Sequence, residues 1–216
     1  MIVGMWMARN LVTIQPQERI SRASYLMRDN QIRRLPVVRE DDGARTVVGL
    51  ISATDLYRAF PANVNPFTAD PAKLGESDAL VAQVMSPDVL ATTPETPIED
   101  AANTMLERKI GALPVLRDQI LVGLITESDI FRAFVSVLTG EANGVRVTFS
   151  TANGEDVFAL LAELSVQRRV RVSSMMMSTS EGNTVCVVRI SGPEVTAAVA
   201  DLWKSGHQVL NVLGAE

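Results

Sequence analysis

Apolar positions along the first part of the chain follow two rhythms that succeed one another and then start again. Ile20, Ala23, Tyr25, Leu26 and Met27 recur at helical spacing. Leu35-Pro36-Val37-Val38 and residues 46–51 are short apolar runs on either side of the polar stretch Glu40-Asp41-Asp42-Gly43-Ala44-Arg45, which predicts a hairpin. Before the helix, Leu11-Val12-Thr13-Ile14 reads as a short strand that ends near Pro16, because a residue without an amide hydrogen cannot continue a ladder. After the hairpin, residues 55–60 open a second helix, stopped by Pro61. The scheme then returns, with a helix over 98–108, strands over 113–116 and 121–125 around the tighter turn Arg117-Asp118-Gln119, and a helix over 128–138.

The return is a sequence repeat as well as a rhythm. Ile32-Arg33-Arg34-Leu35-Pro36-Val37-Val38 leads to Val48-Gly49-Leu50-Ile51-Ser52-Ala53-Thr54-Asp55, and Ile110-Gly111-Ala112-Leu113-Pro114-Val115-Leu116 leads to Val122-Gly123-Leu124-Ile125-Thr126-Glu127-Ser128-Asp129. An offset of about 78 pairs Met7 with Met85, Pro16 with Pro94, Ala23 with Ala101 and Met27 with Met105. Such a period marks a duplicated supersecondary unit whose copies bury their apolar faces together. Residues 1–60 form the first copy and 81–138 the second, joined by a connector over 61–80 rich in Pro, Ala and Asp.

Beyond a boundary at Thr139-Gly140-Glu141-Ala142-Asn143-Gly144 the rhythm changes, and residues 144–216 read as a separate domain. Residues 145–149 alternate as a strand, 156–164 have helical spacing, and 170–177 and 184–190 are strands around the turn signature Ser180-Glu181-Gly182-Asn183. A helix over 193–203 and a strand over 209–213 complete the order βαββαβ, that of a ferredoxin-like unit.

Composition narrows the function classes. The 216 residues are 47% hydrophobic, enough for a sizeable core, yet no apolar run approaches the roughly 20 residues of a membrane span. No basic region followed by an apolar core opens the chain, and a lone cysteine, Cys186, permits no internal disulfide. The expectation is a soluble cytoplasmic protein. A net charge of −5 argues against a general nucleic-acid binder. Cys186 and His207, each the only one of its kind, make a zinc site a poor expectation, and no pair of residues has nucleophile-and-base spacing; no metal, catalytic residue or obligatory cofactor is expected. Met175-Met176-Met177 is expected to serve core or interface packing, and Trp6 and Trp203 to anchor packing.

The repeated Leu-Pro-Val strand and the Gly-apolar-apolar-Ser/Thr-x-x-Asp junction resemble the CBS domain, which in tandem forms a Bateman module. Residues 144–216 resemble a divergent ACT domain by order of elements. The combination is similar to small bacterial CBS/ACT proteins of acetoin-utilisation type. The resemblance implies an α+β fold: two CBS repeats (βαββα each) forming a pseudo-twofold pair, followed by the ferredoxin-like ACT domain. It also implies a ligand-sensing regulatory protein rather than an enzyme, with a homodimer as its default assembly and an unnamed regulated protein as partner; the charge and the short apolar runs leave no nucleic-acid or membrane partner expected.

The junction residues support two readings. Ser52 with Asp55, and Thr126 with Asp129, fit capping boxes, in which a hydroxyl and a carboxylate three residues on satisfy the open amides of a first helical turn. Alternatively, the carboxylate accepts both hydroxyls of a ribose while hydroxyls and amides bind phosphate. The resemblance implies the second role for Asp55, Ser52 and Thr54, and for Asp129, Thr126 and Ser128, with an adenine nucleotide (AMP, ADP or ATP) as regulatory ligand. Just before Leu-Pro-Val the copies differ: Arg33 and Arg34 stand where the second has Gly111 and Ala112. Arginine suits a multiply charged phosphate, although cations near a helix end are favoured in any case. The Asp129 side would draw cations from Arg108, Lys109 or Arg132, or hold a less charged ligand such as S-adenosylmethionine. A protein-interaction scaffold with empty clefts is the alternative of another class. In the ACT-like domain the loop from Ser150 through Gly154 to Asp156 lacks the usual Asp-x-Pro-Gly-like pattern, so sheet-mediated dimerisation or simple domain packing is expected ahead of an amino-acid site.

Overall fold

The structure, a computed structural model, describes residues 1–41, 44–60, 63–68, 78–139, 144–151, 156–180 and 183–214. Asp42 and Gly43 of the first turn, Pro61, most of the connector, residues 140–143 of the boundary, the loop 152–155 and the turn tip 181–182 lie outside the described residues. In the first repeat, α1 (Ile20–Asp29), β1 (Arg34–Asp41), β2 (Ala44–Ser52) and α2 (Ala53–Ala59) follow one another; after α3 (Val81–Val84) the second repeat has α4 (Ile98–Arg108), β3 (Ala112–Arg117), β4 (Ile120–Thr126) and α5 (Glu127–Thr139). The chain forms two compact units, Met1–Phe131 and Arg132–Glu216, divided within α5.

Each repeat contributes a two-stranded antiparallel sheet, β1 with β2 and β3 with β4, and both carry a bulge at the same place, between Val37 and Val38 and between Val115 and Leu116. The second hairpin closes through Asp118 (φ 50°) and Gln119 (φ 65°), the paired positive dihedrals of a two-residue turn matched to strand twist. The run Leu11-Val12-Thr13-Ile14 is not a strand. Only Ile14 joins the sheet, donating to the Pro36 carbonyl (3.1 Å) and accepting from the Val38 amide (2.9 Å), because the Gln15 amide is diverted to the Glu18 carboxylate (2.8 Å) and the chain turns away. Thr92 makes the same single-residue bridge to Val115.

The far edge of each hairpin is closed by backbone from the leading arm of the other repeat. Leu50 on β2 exchanges two hydrogen bonds with Ser86 (3.0 and 2.9 Å), and Leu124 on β4 exchanges two with Ala8 (3.0 and 2.9 Å). The helical ends are crossed in the same way. Val81 and Ala82 donate to Glu18 and Pro16 beside the first repeat, while Val3 and Gly4 donate to Thr96 and Pro94 beside the second. Val81 is part of the first repeat's core, with Ile20, Met27, Leu35, Ile51 and Leu56. Gly49 and Gly123 make room for this exchange: a Cβ would come within 2.5 Å of the Met85 sulfur at Gly49 and of the Met7 sulfur at Gly123. The repeats therefore swap their leading arms, and β2 packs against β4.

The second unit has the order the pattern predicts: β5 (Val145–Ser150), α6 (Val157–Gln167), β6 (Arg171–Ser180), β7 (Asn183–Ser191), α7 (Val195–Lys204) and β8 (Val209–Leu213). Its antiparallel sheet runs β6-β7-β5-β8, the ferredoxin-like arrangement. Alternate residues Val145, Val147, Phe149, Cys186, Val188 and Ile190 face a core closed by Leu161, Leu164, Ala198 and Leu202. Arg168 ties the helices together, donating to Asp201 (2.6 Å) with Glu194 at 3.8 Å; these carboxylates hold its pKa above the usual value. One packing expectation fails here: Trp203 is exposed, because α7 buries Ala198, Val199 and Leu202 on another face; of the three methionines, Met175 packs on the core while Met176 and Met177 are exposed.

Val3→Ala should lower the stability of the first unit by about 2 kcal/mol, as for a fully buried side chain, although the residue is third in the chain; a urea midpoint unchanged from wild type would refute the arm exchange. Cys186 is fully buried, and desolvation pushes its thiol pKa up. It should react with a disulfide reagent at neutral pH only as fast as the second unit opens, so labelling rates should rise with urea; prompt labelling in native buffer would contradict this core.

Candidate functional site

Each sheet hands over to a helix at the Ser/Thr-x-x-Asp sequence, and both handovers are capping boxes in fact. Asp55 Oδ2 accepts from the Ser52 amide (2.8 Å) and hydroxyl (2.6 Å), and the Asp55 amide donates to Ser52 Oγ (3.3 Å). Asp129 Oδ2 accepts from the Thr126 amide (2.9 Å) and hydroxyl (2.6 Å), with the return bond at 3.4 Å. The surroundings differ: Asp129 is buried, whereas Asp55 is half-buried. Capping uses one carboxylate oxygen of Asp55. The other, Oδ1, has no hydrogen bond among the described residues.

The segment before each Leu-Pro-Val strand is held to the same junction. Arg33 O accepts from the Ala53 amide (2.9 Å), and Gly111 O accepts from the Glu127 amide (3.2 Å). This places Arg33 and Arg34 beside Asp55, at the mouth of β1 rather than in the last turn of α1, so attraction to a helix end does not account for them.

A cavity of about 520 Å³ opens at the first junction. Ser52, Thr54, Asp55, Arg33 and Arg34 line it, and so do Gly111 and Ala112 from the second repeat. Thr126, Ser128 and Asp129 do not line it. Gly111 and Ala112, expected to serve the Asp129 side, thus face Asp55, and Arg108 lines this cavity too. The reason lies in the packing of β2 on β4, which brings the start of β3 across from the end of β2. The sequence reading missed Arg58, whose position one turn beyond Thr54 and Asp55 on α2 was a usable signal. It also missed Ser86, Asp88, Val89 and Leu90, which reach the cavity only through the arm exchange and have no local signal.

The electrostatics of this cavity are lopsided. Four guanidinium groups, Arg33, Arg34, Arg58 and Arg108, share its wall with two carboxylates, Asp55 and Asp88. Among the described residues the guanidinium groups of Arg33, Arg58 and Arg108 have no hydrogen bond or ion pair, and that of Arg34 has one ion-pair partner, Glu127, at 3.6 Å. Leu50, Val89, Leu90 and Ile110 give the cavity an apolar side. Such a wall suits a ligand with an apolar part and several negative charges. Among the described residues no helix is long and apolar enough to cross a membrane.

Comparison with known proteins places the chain in a family. An inosine-5'-monophosphate dehydrogenase of Halobacterium salinarum is 29% identical over 207 residues, 89% of this chain; the chain spans only 38% of that enzyme's length. The crystal structure of an acetoin utilization protein (AcuB) from Vibrio cholerae superimposes with a TM-score of 0.52 at 27% identity, covering 64% of this chain and 93% of that one. CBSX2, solved in complex with AMP, gives a TM-score of 0.52 at 29% identity, covering 63% and 97% respectively. The family model of the CBS domain matches residues 3–62 and again 81–136, more than half of the sequence, and the chain accordingly belongs to the CBS domain family.

Proposed function

We propose that the chain is a ligand-sensing regulatory protein that binds an adenine nucleotide (AMP, ADP or ATP) in the cavity at the first junction. The observation that carries this reading is the convergence of four guanidinium groups, three of them without a partner among the described residues, on a cavity that also holds an unused carboxylate oxygen. Asp55 Oδ1 accepts from the ribose hydroxyls while Oδ2 keeps the cap. Arg33, Arg34, Arg58 and Arg108 take the phosphates, with Thr54, whose exposed hydroxyl has no partner among the described residues. Ser52 serves through the cap, since its hydroxyl is already donor and acceptor there. The base lies against Leu50, Val89, Leu90 and Ile110, with Ala112 beside it, while Gly111 makes room for the Arg34 guanidinium. The AMP complex of CBSX2, a relative at 29% identity, supports the ligand class. S-adenosylmethionine fits less well, because its sulfonium would meet four like charges.

The Thr126-Ser128-Asp129 junction is a second, weaker ligand position, its carboxylate being the more buried. Binding acts by favouring one arrangement of the repeats over another, which requires different affinities for the two, and the change passes to a partner protein or to residues 144–216. Those residues form an ACT-like domain, a reading supported by the β6-β7-β5-β8 order. Exposed Phe131, Phe134, Val137 and Leu138 on α5 support a homodimer. The repeats are 1–60 and 81–138, with 61–80 between them.

Calorimetric titration with AMP, ADP, ATP and S-adenosylmethionine tests the reading. Nucleotide should bind, and Asp55→Ala should weaken it by about ten- to a hundredfold, as for loss of a charge-assisted contact. Silence from every ligand would leave a protein-interaction scaffold. The caps give a separate readout in thermal unfolding. Thr126→Ala should cost about 1 kcal/mol, and Asp129→Ala about 2 kcal/mol, because it leaves the Thr126 amide and hydroxyl without their acceptor at a buried position.

A further inference from the structure

Among the described residues a single ion pair reaches the cavity wall; it joins the two repeats and has no counterpart at the other junction. Arg34 Nη2 of the first repeat lies 3.6 Å from Glu127 Oε2, on the first residue of α5 in the second repeat. The positions equivalent to these two are Ala112 and Ala53, so the pair occurs at one junction only. Space is kept for it: a Cβ at Gly111 would overlap the Arg34 guanidinium and come within 2.7 Å of the Glu127 carboxylate. Arg34 lines the cavity with its side chain 23% exposed, while Glu127 does not line it and is 65% exposed.

We infer that Glu127 is a specificity-determining residue that holds back phosphate-bearing ligands relative to phosphate-free ones by competing with them for Arg34. The inference rests on the cavity being a phosphate-binding site, as in the proposed function. At 3.6 Å the guanidinium makes one loose contact with a solvated carboxylate, an interaction of the weak surface kind. A phosphate chain offers the same fork several oxygens inside the cavity and takes it over. Binding a phosphate there loosens the Arg34–Glu127 pair, and by linkage the pair weakens phosphate binding to the same degree. A ligand without phosphate leaves the pair untouched.

The test is titration of the full chain with ATP, with inorganic tripolyphosphate and with adenosine, for wild type, Glu127→Gln, Arg34→Gln and the double variant. Glu127→Gln should tighten ATP and tripolyphosphate by about two- to fivefold, the range an exposed pair supports, and leave adenosine unchanged. With Arg34→Gln already present, Glu127→Gln should change nothing, which separates competition for Arg34 from a general loss of negative charge. Equal effects on adenosine and ATP, persistence of the gain in the Arg34→Gln background, or no gain at all would each overturn the inference. Tripolyphosphate binding that follows the expected pattern while ATP and adenosine fail to bind would keep the role of Glu127 and refute the nucleotide reading. Failure of all three to bind wild type would refute both.

Discussion

Two strands do not make a stable sheet in water, because too little apolar surface is covered and both backbone edges stay open. Each repeat here has only a hairpin of its own. Ile14 and Thr92 close one edge by a single bridge, and the other edge is closed by Ser86 or Ala8 from the arm that leads into the opposite repeat. Val81 fills the first repeat's core, and Val3 is as deeply buried beside the second. Neither repeat is complete without its neighbour's arm, so the relative placement of the two is fixed by backbone hydrogen bonds as well as by side-chain packing.

The cavity follows from that constraint. The arm that completes the first sheet continues through Ser86, Asp88, Val89 and Leu90 along the cavity wall, and the packing of β2 on β4 supplies Arg108, Ile110, Gly111 and Ala112 from the facing repeat. Asp55 and the arginines around it are therefore carried by three separate stretches of chain. A change in how the repeats lean on one another alters the spacing of these groups, and a ligand that prefers one spacing biases the arrangement. The capping boxes add stiffness at the point of contact, since the carboxylate facing the cavity also fixes the first turn of α2.

Capping and binding are compatible because a carboxylate has two oxygens and the cap engages one of them. Duplication produced two junctions with the same backbone plan, and substitution then set them apart: Arg33 and Arg34 against Gly111 and Ala112, Ala53 against Glu127, a half-buried Asp55 against a buried Asp129. The charge of one cleft is thus drawn largely from the first repeat's arginines, with the second repeat adding Arg108 and, at Gly111, the space that the Arg34 guanidinium fills.

Local periodicity was sufficient to place α4 over 98–108 and β8 over 209–213, to find both hairpins, and to give the βαββαβ order of the last domain, because each depends on which face of a short segment is apolar. The Ser/Thr-x-x-Asp caps were equally legible, being contacts within four residues. Failures came where the partner is distant. Leu11-Val12-Thr13-Ile14 has a strand's composition, but a strand needs a continuous neighbour and only Ile14 has one. Arg108 could not be assigned to the Asp55 side, nor Met7 to the second repeat and Met85 to the first, since the two copies offer near-identical surfaces and the pattern of a segment does not say which equivalent surface it meets. The sequence by itself determined the elements, the duplication and the chemistry of the junction; tertiary structure decided which copy's arm, arginine and glycine stand around each aspartate, because that choice is made between matching apolar faces brought together only when the chain folds.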